Sequence, residues 1–296
     1  MQKHYLSNND SLLKKASYLR IIAKDLAEVM KAGNFSSLYK GQGVEFAGVR
    51  DYIRGDDIRS IDWNVTARMG HPYIKIFDEE RELQIFIIVD SSASMQLDTG
   101  TERNKYSAAA EAAALITMAA EINSCPVGAV FFDGKIQFSC KPQSDKENTM
   151  KILNHLDKLP EVQENGSALG SAINGAGKLL KTRSLVFILS DFKSNDWETP
   201  LISLAHKNNV IALRLHDSFQ DELPEIGTVV FEDMESDLKM ELPTASTQFK
   251  KEWKNYNTQH QNRWHDFCIK HGILPIVMNT KTEPLQVLNA AFGKRK

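Results

Sequence analysis

Two aspartates end the two most apolar stretches of the chain. Asp90 ends the run Ile85–Asp90, and Asp191 ends the run Leu185–Asp191. Uninterrupted apolar runs of this length are typical of central strands in a parallel sheet, which are buried on both faces. Ligands of such sheets bind outside the carboxyl ends of the strands. The two carboxylates are therefore predicted to meet at one edge of the sheet, where they could bind a cation.

Serine hydroxyls lie where they would join these carboxylates. The first loop, Asp90-Ser91-Ser92-Ala93-Ser94, has the spacing D-x-S-x-S, and Ser167 lies in a later loop ahead of a predicted helix. Carboxylate and hydroxyl oxygens are hard ligands that suit Mg²⁺, with Mn²⁺ or Ca²⁺ as alternatives. Because hydroxyls are neutral, the ion would stay electrophilic and could accept a carboxylate from another protein. The pattern favours metal-dependent protein binding over polar caps that bind no metal.

Strands and helices alternate from residue 83 onward. An Ala-rich helix near Lys105–Asn123 follows the first apolar run, and Asp133-Gly134 between two apolar runs indicates a hairpin. This alternation predicts a doubly wound, mostly parallel α/β sheet with one antiparallel strand. The other predicted elements are helices near Lys146–Leu159, Leu169–Lys181, Trp197–Asn208 and Ser246–Lys270, strands at Val127–Phe132, Ile136–Ser139, Val210–Leu215 and Leu274–Met278, a hairpin at Thr228–Leu242 and a short terminal helix.

The first 82 residues have a different pattern, and the chain is predicted to contain three segments. Residues 1–36 form a helical segment, because apolar residues recur at three- to four-residue steps over 11–31. We expect this helix to dock on the main domain. Residues 37–82 form a small strand-rich segment, with short apolar runs separated by turns such as Arg54-Gly55-Asp56-Asp57. Residues 83–296 form the α/β domain.

The loops of this α/β domain resemble the metal-ion-dependent adhesion site of von Willebrand factor type A domains. That site has a D-x-S-x-S loop after an apolar strand, a later hydroxyl loop and an aspartate at the end of another strand. The resemblance implies a von Willebrand factor type A-like domain with one metal set, which is Asp90, Ser92, Ser94, Ser167 and Asp191. The third loop usually carries threonine in that family. Ser167 keeps the hydroxyl without the stiff β-branch.

The segment before the domain carries a second resemblance. The motifs G-V-E-F at 43–46, V-R-D-Y at 49–52, G-D-D-I-R at 55–59, I-D-W-N at 61–64 and T-A-R at 66–68 resemble the bacterial domain of unknown function 58 family, as do the acidic residues Glu79, Glu80 and Glu82. Members of that family are similar to partners of MoxR-type AAA+ ATPases, so the resemblance implies an adaptor or substrate-presenting role beside such an ATPase. The mixed charges of this block predict a buried ion-pair network that braces the segment, with a docking surface as the alternative.

Composition limits the classes of function. The 296 residues carry 36 basic and 38 acidic side chains, which gives no bulk attraction to nucleic acid or anionic lipid. The longest apolar stretch, Ala112–Ala120, is too short to span a bilayer, and residues 1–15 lack the apolar stretch of a signal peptide. The three cysteines form no C-x-x-C pair, which predicts reduced thiols. We therefore expect a cytoplasmic protein that binds no nucleic acid and does not insert directly into membranes.

One long predicted helix carries an aromatic stripe. Ring side chains recur at helical spacing along residues 246–270, and this pattern predicts a seam that faces the core. The members of the stripe are Phe249, Trp253, Tyr256, His260, Trp264 and Phe267.

Two alternatives to an adaptor stay open at this point. Asp90 lies where aspartyl-phosphate phosphohydrolases carry their nucleophile, so a Mg²⁺-dependent phosphohydrolase acting through Asp90 is the main rival. Those enzymes use a second aspartate two residues later, where this chain has Ser92. The other alternative is a vestigial metal site, with partner binding carried by the strand-rich segment.

Overall fold

The computed structural model divides the chain into two compact units. One unit contains the residues up to Gly33 together with Gln84–Lys296, and the other contains Asn34–Leu83. The structure describes residues 16–32, 43–80, 83–97, 103–158, 167–217, 228–232 and 239–292. The predicted start of the first helix, at residues 11–15, and part of the third loop, at residues 165–166, lie outside these ranges.

The elements follow one another in the order that the sequence predicts for the α/β domain. They are α1 (Ala16–Ala32), β1 (Gly43–Asp51), a 3-10 turn (Ile58–Ser60), α2 (Trp63–Met69), β2 (Tyr73–Glu80), β3 (Ile85–Asp90), α3 (Ala93–Gln96), α4 (Lys105–Ile122), β4 (Val127–Phe132), β5 (Ile136–Gln143), α5 (Lys146–Asp157), α6 (Leu169–Leu179), β6 (Leu185–Ser190), α7 (Glu198–Lys207), β7 (Asn209–His216), β8 (Thr228–Glu232), β9 (Lys239–Pro243), α8 (Thr247–Lys270), β10 (Leu274–Asn279) and α9 (Pro284–Phe292).

A six-stranded sheet forms the centre of the larger unit. Its strand order is β10-β7-β6-β3-β4-β5. All neighbours are parallel except β4 and β5, which form the predicted antiparallel hairpin. The chain moves from β3 to β4 on one side, and β6 later pairs with the other side of β3. The strand order therefore reverses between β3 and β6, which is where sheets of this type bind ligands.

Helices cover both faces of this sheet. Every residue of β3, β4 and β6 is buried. Alternate residues point to opposite faces, so Phe86 and Ile88 pack with α6, α7 and the end of α8. On the other face, Phe187 meets Phe292 of α9 edge to face, with ring centroids 5.9 Å apart. The prediction of a mixed α/β fold with a mostly parallel sheet is confirmed.

Helix α1 docks on α4, in agreement with the prediction. Its buried face consists of Leu19, Ala23, Leu26, Ala27 and Met30. The amide of Asn123 also donates a 3.0 Å hydrogen bond to the carbonyl of Ala27. The small alanine side chains of α4 let this helix lie buried between the sheet and α1. Within the described stretches, no helix is long and apolar enough to cross a membrane.

The aromatic stripe of α8 faces the core over only part of its length. Trp264 is buried and Phe267 is half-buried against the core, whereas Tyr256 is 59% exposed. The prediction of a continuous core-facing seam is therefore wrong. A helix of 24 residues is about 36 Å long, whereas a six-residue strand spans only about 20 Å, so the start of α8 extends past the sheet.

The smaller unit is built on an antiparallel pair of strands, β1 and β2. Between them the structure has a helix, α2, that the sequence analysis did not predict. Asp62 caps this helix, because its carboxylate accepts hydrogen bonds from the backbone N–H groups of Asn64 and Val65. Gly70 ends it in the left-handed conformation, with a φ of 79°. The cap and the glycine are ordinary helix signals, which a strand-rich interpretation overlooked.

The charged side chains of this smaller unit form ion pairs at its surface. Arg50 binds Asp56 through two hydrogen bonds, of 2.8 and 2.7 Å, which lower the pKa of the Asp56 carboxyl. The side chains of this pair are 41% and 20% exposed, and His71 pairs with Asp51 at still higher exposure. Among the described side chains of this unit, the prediction of a buried ion-pair network is wrong, because a segment this small has little interior in which to bury charges.

Candidate functional site

Asp90 and Asp191 lie together at the carboxyl edge of the sheet. Asp90 is the last residue of β3, and Asp191 directly follows Ser190, the last residue of β6. The two strands pair in parallel register up to Val89 and Leu189, so Asp90 and Ser190 end their strands at the same level. Because β3 and β6 are neighbours in the sheet, the loops that follow them begin side by side at this edge.

The carboxylate of Asp90 is buried and has hydrogen-bond donors around it. Its Oδ1 accepts from the backbone N–H of Ser92 at 2.9 Å, and its Oδ2 accepts from the hydroxyl of Ser190 at 2.6 Å. No lysine, arginine or histidine nitrogen of the described residues lies within 4 Å of it. Burial raises the pKa of Asp90 from its ordinary 3.8 to about 7, and the nearby Asp191 charge adds to this rise. A buried carboxylate without a cationic partner is energetically costly.

The first serine loop is a tight turn fixed to the sheet. The hydroxyls of Ser92 and Ser94 are 3.2 Å apart, and Ser92 is fully buried. The hydroxyl of Ser91 donates a 2.7 Å hydrogen bond to the carbonyl of Phe132, at the end of β4. The side chain of Gln96 donates to the carbonyl of Ser91 at 2.8 Å. These bonds hold both candidate hydroxyls beside Asp90.

Asp191 differs from Asp90, because it has a buried lysine beside it. The ammonium group of Lys105 forms an ion pair with Asp191, and the two side chains are 5% and 3% exposed. Burial raises the pKa of Asp191, but the charges of Lys105 and Lys193 outweigh this and leave the pKa below its ordinary value. The sequence analysis missed Lys105. Its only signal is its place as the first residue of α4, directly after the capping residue Asn104.

Ser167 lies in a different loop, just before the start of α6. The backbone N–H of Ala168 donates a 2.7 Å hydrogen bond to the carbonyl of Asp133, which follows β4. The hydroxyl of Ser167 is buried and has no hydrogen-bond partner among the described residues. Hydrogen bonds thus join Asp90 to Ser92 and Ser92 to Ser94, whereas Asp191 accepts from Lys105 and from the backbone N–H of Lys193 and follows Ser190 in the chain. No hydrogen bond of the described residues connects Ser167 to the other four.

Ser190 is a second residue that the sequence analysis missed. Its hydroxyl donates to Asp90 and accepts from the backbone N–H of Phe192 at 3.0 Å. Phe192 has a φ of 55°, in the left-handed region, so the chain bends sharply directly after Asp191. The Ser-Asp pair at the end of an apolar strand was visible in the sequence. Its serine was counted as part of the strand.

The donor set of this site suits a hard cation and does not suit a softer metal. Among the described residues, no group of three or more His, Cys, Asp or Glu side chains is placed to hold a metal ion. A cation held by Asp90 and Asp191 would therefore also need hydroxyl and water oxygens, which is the coordination that Mg²⁺ accepts. The hydroxyls that could supply these oxygens belong to Ser92, Ser94 and Ser167.

Comparison with known proteins gives the family. The profile of the family described as "Protein of unknown function DUF58" matches residues 48–263. The chain belongs to the DUF58 family. The match spans the smaller unit from Gly48 onward as well as most of the sheet, so the sequence resemblance to this family is confirmed.

The chain is also similar to three individual proteins. An uncharacterized protein of Mycobacterium tuberculosis is 31% identical over 221 residues, which cover 74% of this chain and 69% of the relative. An uncharacterized protein of Mycobacterium avium is 30% identical over 94 residues, which cover 31% of this chain and 55% of that protein. Among solved structures, an aerotolerance-related membrane protein from Bacteroides fragilis aligns with 71% of this chain and 98% of its own, at 16% identity and a TM-score of 0.45.

Proposed function

We propose that this DUF58 protein is a von Willebrand factor type A-like adaptor that holds one Mg²⁺ ion and uses it to bind an acidic residue of a partner protein. The ion would be held by Asp90, Ser92, Ser94, Ser167 and Asp191. The observation that carries the proposal is the state of Asp90, a carboxylate that is 1% exposed and has no cation within 4 Å among the described residues.

Two features of the described residues fit such an ion. A divalent cation would neutralise the buried Asp90 carboxylate, which otherwise costs free energy. The buried hydroxyl of Ser167, which has no partner among the described residues, would gain one. Mg²⁺ bound there supplies an electrophilic position for one external carboxylate oxygen, because most of its ligands are neutral. Mn²⁺ or Ca²⁺ could take the same place.

Lys105 sets the charge of the proposed site. Its ammonium group already neutralises Asp191, so the net charge of the two carboxylates and this lysine is about one negative unit. A doubly charged ion would make the site net positive. A net positive site favours an anionic partner residue, in accord with the proposed capture of a carboxylate.

The partner that we propose is a MoxR-type AAA+ ATPase, and the support for it is family membership. Balanced overall charge supports neither nucleic acid nor lipid as the ligand. The adaptor role is non-catalytic. The site would need a positioned base or nucleophile besides the ion to act as a hydrolase, and the residue two positions after Asp90 is a serine.

Affinity capture from the source cell's lysate tests this function. Tagged wild type, Asp90→Ala and the exposed control Asp266→Ala would be compared in Mg²⁺ and in chelator, with bound proteins identified by mass spectrometry. We expect wild type and Asp266→Ala to capture a MoxR-type ATPase in Mg²⁺ but not in chelator, and Asp90→Ala to capture it in neither. The same protein captured by Asp90→Ala and in chelator would contradict the proposal and move the interface away from the metal.

The same variants also test the rival activity. Turnover of a phosphoester panel that requires Mg²⁺ and disappears in Asp90→Ala would establish a phosphohydrolase instead of an adaptor. We expect no turnover above that of a buffer blank with either variant.

A further inference from the structure

Arg214 is buried at the same edge of the sheet, next to the proposed ion site. It lies on β7 directly beside Ser190 of β6 in the parallel register, and neighbouring strands are about 4.8 Å apart. Ser190 in turn donates its hydroxyl to Asp90. Arg214 is 7% exposed, so its side chain is more than nine-tenths buried while a small part of its surface stays accessible.

The guanidinium group of Arg214 forms no ion pair with any of the described residues. No carboxylate of the described residues lies within 4 Å of it. The guanidinium lies over the ring of Trp264, and its Cζ atom is 5.6 Å from the ring centroid. Burial lowers the pKa of Arg214, and the charge of Asp191 offsets this only in part. A buried guanidinium without a carboxylate is rare, because desolvating it is costly unless it is paired.

Trp264 adds a second donor at this place. Its indole is 4% exposed, and its Nε1–H is buried without a hydrogen-bond acceptor among the described residues. The guanidinium of Arg214 has five N–H donors and the indole of Trp264 has one, and the guanidinium carbon lies 5.6 Å from the centre of the ring. None of these groups can accept a hydrogen bond, so the ligand that matches them must bring acceptors and negative charge.

We propose that Arg214 and Trp264 form an anion subsite that binds a carboxylate beside the Asp90–Asp191 site. A planar carboxylate matches the guanidinium through two parallel hydrogen bonds, and one of its lone pairs can also accept from the indole. This inference rests on the proposed function for the source of the carboxylate, which we assign to the partner protein bound at the ion. The partner then presents two acidic groups, one to the ion and one to Arg214.

A contact between a cation and an aromatic ring, with no ligand, is the competing account. It would leave the Trp264 N–H without a role, because such a contact uses the face of the ring and not its N–H edge. The two accounts differ in what Trp264→Phe does. Phenylalanine keeps an aromatic face for Arg214 but removes the N–H donor. The anion-subsite account therefore predicts a loss of carboxylate affinity in this variant, whereas the cation–ring account predicts none.

Nuclear magnetic resonance on the ¹⁵N-labelled full chain tests the subsite. The Arg214 Nε–H and the Trp264 Nε1–H signals would be assigned with Arg214→Lys and Trp264→Phe. Acetate would then be titrated against chloride at constant ionic strength. We expect both signals to shift saturably with acetate, while the signal of the exposed Arg183 does not saturate. Trp264→Phe should weaken the acetate affinity seen at Arg214 by at least about tenfold, the loss of one hydrogen bond to a charged group.

Three outcomes would overturn the subsite. They are no saturable shift at Arg214, an equal response at Arg183, and saturation by sulfate without saturation by acetate, which would assign the site to another anion class. The titration is repeated in Asp90→Asn without divalent metal. Acetate should still bind Arg214 in this variant, because the subsite does not need the ion. Absence of metal binding by wild type with retained acetate binding would therefore count against the ion site alone, and loss of acetate binding would count against the anion subsite.

Discussion

At the amino end of the six-stranded sheet the polar side chains bond to one another, whereas at the carboxyl end several stay unmatched. At the amino end, the Oε1 atom of Gln84 accepts hydrogen bonds from the hydroxyls of Thr182 and Ser184, each at 2.8 Å. Asn208 accepts from the backbone N–H of Ser184 at 3.0 Å. An open cleft of about 490 Å³ lies at this end, between α6 and α7.

The carboxyl end has the opposite character. Asp90 and Arg214 are buried there without a counter-ion among the described residues, and three buried hydroxyls, those of Ser167, Ser194 and Thr280, have no hydrogen-bond partner among them. At the amino end, the side-chain nitrogen Nδ2 of Asn209 is also buried without a hydrogen-bond partner among the described residues. Buried polar groups are normally satisfied. The unmatched groups are therefore the reason why the proposed site is assigned to the carboxyl end of the sheet and not to this cleft.

Lys105→Met gives the largest expected effect on stability. It leaves the buried Asp191 charge without its closest cation, which should lower the free energy of unfolding of the metal-free protein by about 3–5 kcal/mol. The matched change at the amino end, Arg183→Met, removes an exposed cation and should change it by less than about 0.5 kcal/mol. Denaturant unfolding of both variants measures the difference, and Mg²⁺ should restore part of the loss in Lys105→Met only. Equal effects of the two changes would erase the contrast between the ends.

Asp90→Asn should stabilise the metal-free protein. The pKa of Asp90 is raised to about 7 in the folded protein, so its contribution to stability is full below about pH 4 and is lost as the pH rises toward 7. At pH 8 the substitution should raise the free energy of unfolding by on the order of 2 kcal/mol. The raised pKa is the source of this gain, because each pKa unit is worth ~1.4 kcal/mol. The weaker hydrogen bonds that an amide oxygen accepts reduce the gain. Unfolding from pH 4 to 8 checks this. A variant that is less stable than wild type at pH 8 would show that Asp90 is not an unpaired charge.

Gln84→Ala should act on stability alone. It removes the acceptor of two hydroxyls at the amino end, and Ser184 keeps a second acceptor in the carbonyl of Thr182 at 2.9 Å. The expected loss is about 1 kcal/mol. The affinity for Mn²⁺ should stay at the wild-type value. Weakened metal binding in this variant would mean that the two ends of the sheet are coupled.

Ser167→Ala should have the smallest effect on stability and a clear effect on the ion. Its hydroxyl has no partner among the described residues, so its removal should change the metal-free stability by less than about 0.5 kcal/mol. Affinity for Mn²⁺ should fall by at least about tenfold, a loss common even for groups in the second coordination shell. Ser167→Thr is the matched control, because it keeps the hydroxyl. Unchanged Mn²⁺ affinity in Ser167→Ala would remove this residue from the site.

The sequence was most informative where one periodicity dominates. The apolar runs that end at Asp90 and Asp191 predicted both central strands, and the position of the aspartates at the carboxyl ends of these strands predicted that both lie at one edge of the sheet. The stripe on α8 misled because periodicity shows which side of a helix is apolar but not how far the helix extends past the sheet. Tyr256 lies in the part of α8 that extends past the sheet.

Lys105 and Arg214 were not predicted because they act through partners far away in sequence. A lysine at a helix start and an arginine within an apolar strand look like single charged residues among many. Only the folded chain shows that one is buried against Asp191 and the other against Trp264. The hydroxyl of Ser190 was likewise hidden, since its role depends on the pairing of two strands that lie 100 residues apart.

The most direct test of the central claim is equilibrium titration of the purified protein with Mn²⁺, followed by electron paramagnetic resonance, with Mg²⁺ as competitor. The account predicts one ion per chain for wild type and for the exposed control Asp266→Asn. Asp90→Asn should bind more than about 100-fold more weakly, the upper end of the losses seen for second-shell groups. Equal Mn²⁺ binding by wild type and Asp90→Asn, or no binding by wild type at millimolar Mn²⁺, would contradict the account.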